Sequence, residues 1–170
     1  MAADDKPGRR GMFSLKAEHY VRLAADIAAV LDGEDNLVAR MATVVCMLAA
    51  AFETFLWTGF YLVDLGKPEE LVIGPYQGTL GCLRIPFGRG VCGTSAAEMR
   101  TVVVPDVERF EGHIACDSRA RSEIVTPVRS ATGALIGVLD IDSAQPDAFD
   151  EYDAAGLETI VRRAFGFSPP

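Results

Sequence analysis

At Phe55 the hydrophobic period of the chain changes, and that change restricts the fold more than any other feature. Upstream, in "SLKAEHYVRLAADIAAVLDG" (14–33), Leu15, Tyr20, Leu23, Ile27 and Val30 recur near one face at helical spacing, with Ser14 as a cap and Gly33 as a stop. A second helical stretch, "DNLVARMATVVCMLAAAFE", follows with Asp35 or Asn36 as its cap. It is apolar around most of its girth, so the expectation is a helix buried against a sheet, with Cys46 in the core. From Phe55 the pattern alternates. "FLWTGFYLVD", "ELVIGPYQ", "CLRIPF", "TVVVPD", "SEIVTPVRS" and "ALIGVLDIDS" read as strands. "GRGVCGTSAAEMR" interrupts them as a short helix, and "DEYDAAGLETIVRRAF" closes the chain as another. The order describes an α+β domain: a central antiparallel sheet of about six strands with helices packed mainly on one face.

At 170 residues there is room for one domain with a single core. The boundaries read as a polar, glycine-rich arm over 1–13, taken as disordered, the domain over 14–166, and a tail over 167–170. The formal net charge of −8, with no basic stripe, argues against nucleic acid or an anionic membrane as partner. The longest apolar run, "MATVVCMLAAAF", is too short to span a bilayer, and the first residues lack signal-peptide character. The expectation is a cytoplasmic protein whose four cysteines rest mostly reduced, so that any disulfide is transient or catalytic. The sequence leaves the oligomeric state open, a homodimer among the options.

One connection stands out chemically. "GHIACDSRARSEIVTP" (112–127) joins two strands and holds His113, Cys116, Asp117 and Glu123. A cysteine with Asp117 and Ser118 beside it has no packing duty there, and loops are where functional residues collect. The adjacent carboxylate is an awkward neighbour, since it raises a thiol's pKa. His113 offers compensating charge, or it is a structural histidine bonded to the loop backbone. In "LDIDS" the alternation points Asp140 and Asp142 to one face of their strand. Two like-directed carboxylates on a buried strand are costly unless paired or met by a ligand, although Asp142 also suits a turn cap. Trp57 and Tyr61, four apart, share a face of theirs. A Cys3His zinc set (Cys82, Cys92, Cys116, His113) can be counted, but its spacings lack the close cysteine pair of common structural sites, so no metal is expected.

The order of elements, with "GVLDIDS" before "FDEYDAAGLETI", resembles a GAF domain. The blocks "WTGFYLVD", "LVIGPYQGTLGCLRIPFGRGVCGTSA", "VPDVERFEGHIACDSRARSEIVTPV" and "GVLDIDSAQPDAFDEYD" resemble, more narrowly, the free methionine-(R)-sulfoxide reductases, single-domain GAF enzymes. The likeness runs from about Asn36 to Leu157. It implies reduction of the R epimer of free methionine sulfoxide, with Cys116 as the attacking thiol and regeneration by thioredoxin or a related dithiol. It also implies that Cys82 resolves the resulting sulfenic acid as a disulfide, with Cys92 an auxiliary thiol, and no cofactor. Glu123 and Asp142 would share the sulfoxide oxygen and the ammonium, with Asp140 beside them. Trp57 and Tyr61 would wall the S-methyl group with indole N–H and phenol O–H as polar handles. The substrate carboxylate would meet backbone N–H groups of "HIAC", at Ile114 and Ala115, or a helix N-terminus. The competing reading is a GAF sensor that binds a small ligand or responds to oxidant without turnover.

Overall fold

The computed structural model describes the backbone of residues 7–166 and the side chains of residues 15–166. Eleven elements follow the expected order. Helices α1 (Pro7–Val30) and α2 (Leu37–Ala51) lead into strands β1 (Phe55–Asp64), β2 (Lys67–Gln77) and β3 (Arg84–Pro86). Helix α3 (Gly90–Glu98), strand β4 (Val102–Val104), a 3-10 turn (Val107–Arg109), strands β5 (Ser122–Arg129) and β6 (Leu135–Ser143), and helix α4 (Glu151–Phe165) complete the chain. The sheet is six-stranded and antiparallel, in the order β3-β2-β1-β6-β5-β4.

Strand alternation divides the core into two layers. On one face Phe60, Ile124, Val128, Leu139 and Ile141 pack under α1, α2 and α4. On the other, Trp57, Tyr61, Leu71, Val125 and Val138 meet α3 through Val91, Cys92 and Ala96. Three helices therefore lie on one side, and the single short helix on the other leaves room for loops and a cavity.

Several local expectations are corrected. Helix α1 starts at Pro7, where the sequence reading has a disordered arm, and Ser14 lies inside it instead of capping it. Proline suits the first helical position, because its missing N–H has no intrahelical acceptor there. The remainder of the expected arm, residues 1–6, and the tail 167–170 lie outside the described residues. Tyr20, Leu23 and Ile27 are buried as expected, but Leu15 and Val30 are exposed, and Ala24 and Leu31 take their place. Helix α2, capped by Asn36 through Ala39 N–H, buries Met41, Val44, Val45 and Leu48 only. Cys46 points to solvent. A helix lying on a sheet can bury just one stripe, however apolar its composition.

Helices α1 and α4 approach closely at Gly156. A β-carbon there would lie 2.2 Å from Cγ of Tyr20. The tyrosine cannot swing aside easily, because its hydroxyl donates to Asp153 Oδ1 at 2.8 Å. Asp153 also closes a capping box with Asp150 at the start of α4 and pairs with Lys16. Gly156→Ala is therefore expected to lower stability. Overpacking costs about 1–3 kcal/mol, which outweighs the gain of up to about 1 kcal/mol in helix propensity. A fall in the urea midpoint with an unchanged m-value would show it; an unchanged or higher midpoint would refute it.

Candidate active site

Register builds the floor of the cavity. Asp142 of β6 pairs with Trp57 of β1 on one side and Glu123 of β5 on the other, so the three side chains form a row across the sheet. Such cross-strand partners have β-carbons about 4.5–5.5 Å apart. Asp140, two residues on, opposes Gly59 and Val125. A β-carbon at Gly59 would fall 2.4 Å from the Trp57 ring, so glycine there lets the indole lie flat across the strand and stack on Tyr76. Trp57 also stacks on Tyr61 at 5.7 Å.

Loops supply the walls. The β2–β3 loop carries Leu80, Gly81 and Cys82, and the connection from β4 to β5 carries His113, Ile114 and Cys116. Cys82 and Cys116 are joined by a disulfide, with α-carbons 5.3 Å apart. A clasp holds the same two loops together. Asp117 takes two hydrogen bonds from the Arg119 guanidinium, at 3.1 and 2.8 Å, and one from the Thr79 hydroxyl at 2.5 Å. The Trp57 indole N–H donates to the Thr79 carbonyl at 3.0 Å and pins the loop to the sheet. Helix α3 closes the remaining side with its first residues, Gly90, Val91 and Cys92. Its hydrogen-bond ladder begins only with Gly93 N–H to the Arg89 carbonyl at 3.1 Å. The N–H groups of the three residues before it have no acceptor within the helix.

The cavity lining thus includes Trp57, Tyr61, Cys92, Ile114, Cys116, Glu123, Asp140 and Asp142. All three acids are buried, and burial is the main force holding each carboxyl protonated well above the usual carboxylate range. The acids raise one another further: Asp142 acts on Glu123, Glu123 on Asp140, and Asp140 on Asp142. The Cys92 thiol lies 3.9 Å from Glu123 Oε1 and is pushed up by burial and by Asp140. His113 Nε2 stands 3.5 Å from Glu123 Oε2, and burial lowers its pKa, which favours the neutral imidazole. Asp117 behaves oppositely. Its hydrogen bonds from Arg119 and Thr79 hold it far below the ordinary range.

The structure brings together nearly every residue singled out in the sequence, with five adjustments. Ala115 is exposed and does not line the cavity. The Trp57 N–H is already taken by the loop carbonyl, so it is no free handle. His113 supplies no positive charge to the thiol; it faces Glu123. The awkward charge of Asp117 is met by Arg119, a partner two residues away that a charge-pair reading of "DSR" suggests, whereas nothing in the sequence points to Thr79. The zinc set also dissolves, because the sulfurs of Cys82 and Cys116 are bonded to each other. Among the described residues the group close enough to share a cation is a different one, Cys92, Glu123 and Asp140, whose ligand atoms lie within 4.8 Å of one another.

Residues 22–164 match the GAF domain, so fold and cavity define a GAF-domain protein with cysteines at its site. GAF domain-containing protein A of Dictyostelium discoideum is 48% identical over 147 residues, which cover 86% of this chain and 90% of that protein. Free methionine-R-sulfoxide reductase of Escherichia coli (strain K12) is 42% identical over 86% of each chain. The X-ray structure of free methionine-R-sulfoxide reductase from Neisseria meningitidis, in complex with its substrate, superposes with a TM-score of 0.83 at 47% identity. That alignment covers 88% of this chain and 87% of the other. The chain belongs to the free methionine-R-sulfoxide reductase family of GAF-domain proteins.

Proposed function

We propose that this protein is an oxidoreductase that converts free L-methionine-(R)-sulfoxide to L-methionine, with Cys116 as the attacking thiol. The observation that carries the reading is the meeting of a loop cysteine and three buried carboxyls in one cavity, where burial raises the pKa of each acid. The Cys116 thiolate attacks the sulfoxide sulfur. A carboxyl of the Glu123–Asp142 pair gives its proton to the departing oxygen, which passes to the cysteine. Methionine leaves and Cys116 becomes a sulfenic acid. The Cys82 thiol then attacks that sulfur, releasing water and forming the Cys82–Cys116 bridge. Thioredoxin or a related dithiol returns both cysteines to thiols and is itself oxidised, which suits a reducing compartment such as the cytoplasm.

The cavity has one feature for each part of the substrate. Stacked Trp57 and Tyr61 give an apolar wall for the S-methyl group. Asp140 and Asp142 offer carboxyl oxygens to the ammonium, whose positive charge favours ionisation of the carboxyl it meets. The unladdered N–H groups of Gly90, Val91 and Cys92 suit the carboxylate, at the electropositive end of a helix. Pairing a free ammonium inside a closed site excludes a residue within a polypeptide, whose nitrogen is an uncharged amide with the chain continuing through it. The Asp117 clasp keeps the Cys82 loop within bonding reach of Cys116.

A thioredoxin-coupled NADPH assay with the two epimers of free methionine sulfoxide tests the reading. Consumption with R and none with S supports it. No consumption with either, from folded protein, favours a redox sensor that uses the same bridge without turnover. Cys82→Ser is expected to yield one methionine per protein and then stop, with a sulfenic acid trappable on Cys116 and no thioredoxin-driven cycling. Normal cycling by this variant would assign the resolving role to Cys92.

A further inference from the structure

We propose that Cys92, Glu123 and Asp140 form a binding site for one thiophilic divalent cation of the Zn2+ class, a site separate from the thiol pair that cycles. Their three ligand atoms lie within 4.8 Å of one another, and Cys92 Sγ is 3.9 Å from Glu123 Oε1. Tetrahedral zinc with one sulfur and two oxygen ligands needs neighbouring donors roughly 3.5 Å apart, so closure requires a contraction of at most about 1.3 Å from the 4.8 Å spread. The three residues are at most 6% exposed, and Asp140 Oδ1 is buried with no hydrogen-bond partner. A buried acceptor without a donor is costly, and a cation satisfies it. The thiolate selects a borderline-soft metal over magnesium or calcium. On binding, the Cys92 thiol and the carboxyls release their protons to solvent as metal bonds form. His113, 3.5 Å from Glu123 Oε2, orients that carboxylate from behind.

None of the three ligands takes part in the Cys82–Cys116 bridge, so opening the bridge removes no ligand atom from the site. It also occupies the seat offered to the substrate ammonium. Metal and substrate therefore exclude each other; this competition, unlike the site itself, rests on the reductase reading.

The test isolates one sulfur. In a variant carrying Cys46→Ser, Cys82→Ser and Cys116→Ser, with its fold checked by near-UV circular dichroism, Cys92 is the sole thiol. Titration with Co2+ or Cd2+ is expected to give a sulfur-to-metal charge-transfer band that saturates at one equivalent and is displaced by Zn2+. Adding Cys92→Ser abolishes the band. Adding Asp140→Asn or Glu123→Gln weakens binding at least tenfold, and adding His113→Gln weakens it about tenfold. Absence of a saturable band, or a band indifferent to both acid substitutions, overturns the site. Free methionine-(R)-sulfoxide at saturation is expected to remove the band, and a band it leaves untouched overturns the shared seat. Because the band is read without turnover, failure of the coupled assay and failure of this site are separate results.

Discussion

Cys116→Ser protein is expected to produce no methionine at all, even in a single turnover with enzyme in excess. The loss is larger than for any other single change because chemistry itself is removed. A serine hydroxyl stays protonated at neutral pH, is a poor nucleophile toward sulfur, and has no stable counterpart to a sulfenic acid. Folding should survive, since Cys116 is only half-buried and sits in a loop. Circular dichroism then separates loss of chemistry from loss of structure, and chromatographic detection of methionine from stoichiometric enzyme supplies the measurement. One methionine per protein in this variant would transfer the nucleophile's role to Cys92, which shares the cavity. Burial argues against that outcome, because it holds the Cys92 thiol protonated.

The second large effect is expected at Glu123. Glu123→Gln keeps the shape of the row but cannot deliver a proton, and kcat should fall by about 10²- to 10⁴-fold, the usual worth of a positioned general acid. The pH profile gives an independent readout. The folded-state pKa of Glu123 is raised, so its carboxyl remains a donor below that value and is lost as pH rises through it. Wild-type kcat should decline on the alkaline side accordingly, and the decline should vanish in Glu123→Gln. Linkage makes the same raised pKa destabilising as pH rises, because the folded state then holds a proton that the unfolded chain has already lost. Alkylation of Cys116 in the reduced variant should proceed as in the wild type. If kcat and its pH profile do not change, proton delivery belongs to Asp142, the other member of the coupled pair.

Local pattern carried much of the site. Alternation in "LDIDS" is enough to put Asp140 and Asp142 on one face, and the structure has both in the cavity. Trp57 and Tyr61 share a face for the same reason, and "GHIACDS" is a loop because it lacks any period. Composition misled where rotation about an axis mattered. The apolar stretch around Cys46 looks buried on all sides, yet the sheet covers only the stripe through Met41, Val44, Val45 and Leu48. At the end of α1 the buried stripe passes to Leu31, just beyond the helix, and leaves Val30 exposed. His113 was ambiguous because its partner, Glu123, lies ten residues away across the end of a loop. Contacts with a distant segment, the Cys82–Cys116 bond and the Thr79–Asp117 hydrogen bond, help to place that loop against β5.

By itself the sequence determined the periods, and with them the element types, the antiparallel α+β plan and the faces on which the acids and aromatics fall. Tertiary structure alone decided the Trp57–Asp142–Glu123 row, the Cys82–Cys116 contact, the clasp from Asp117 to Thr79 and the outward turn of Cys46. Side-chain direction repeats every two residues in a strand and every 3.6 in a helix, so neighbours in sequence suffice to read it. Strand register, helix rotation and loop contact are fixed by burial between segments far apart in the chain, as when β1 pairs with β6.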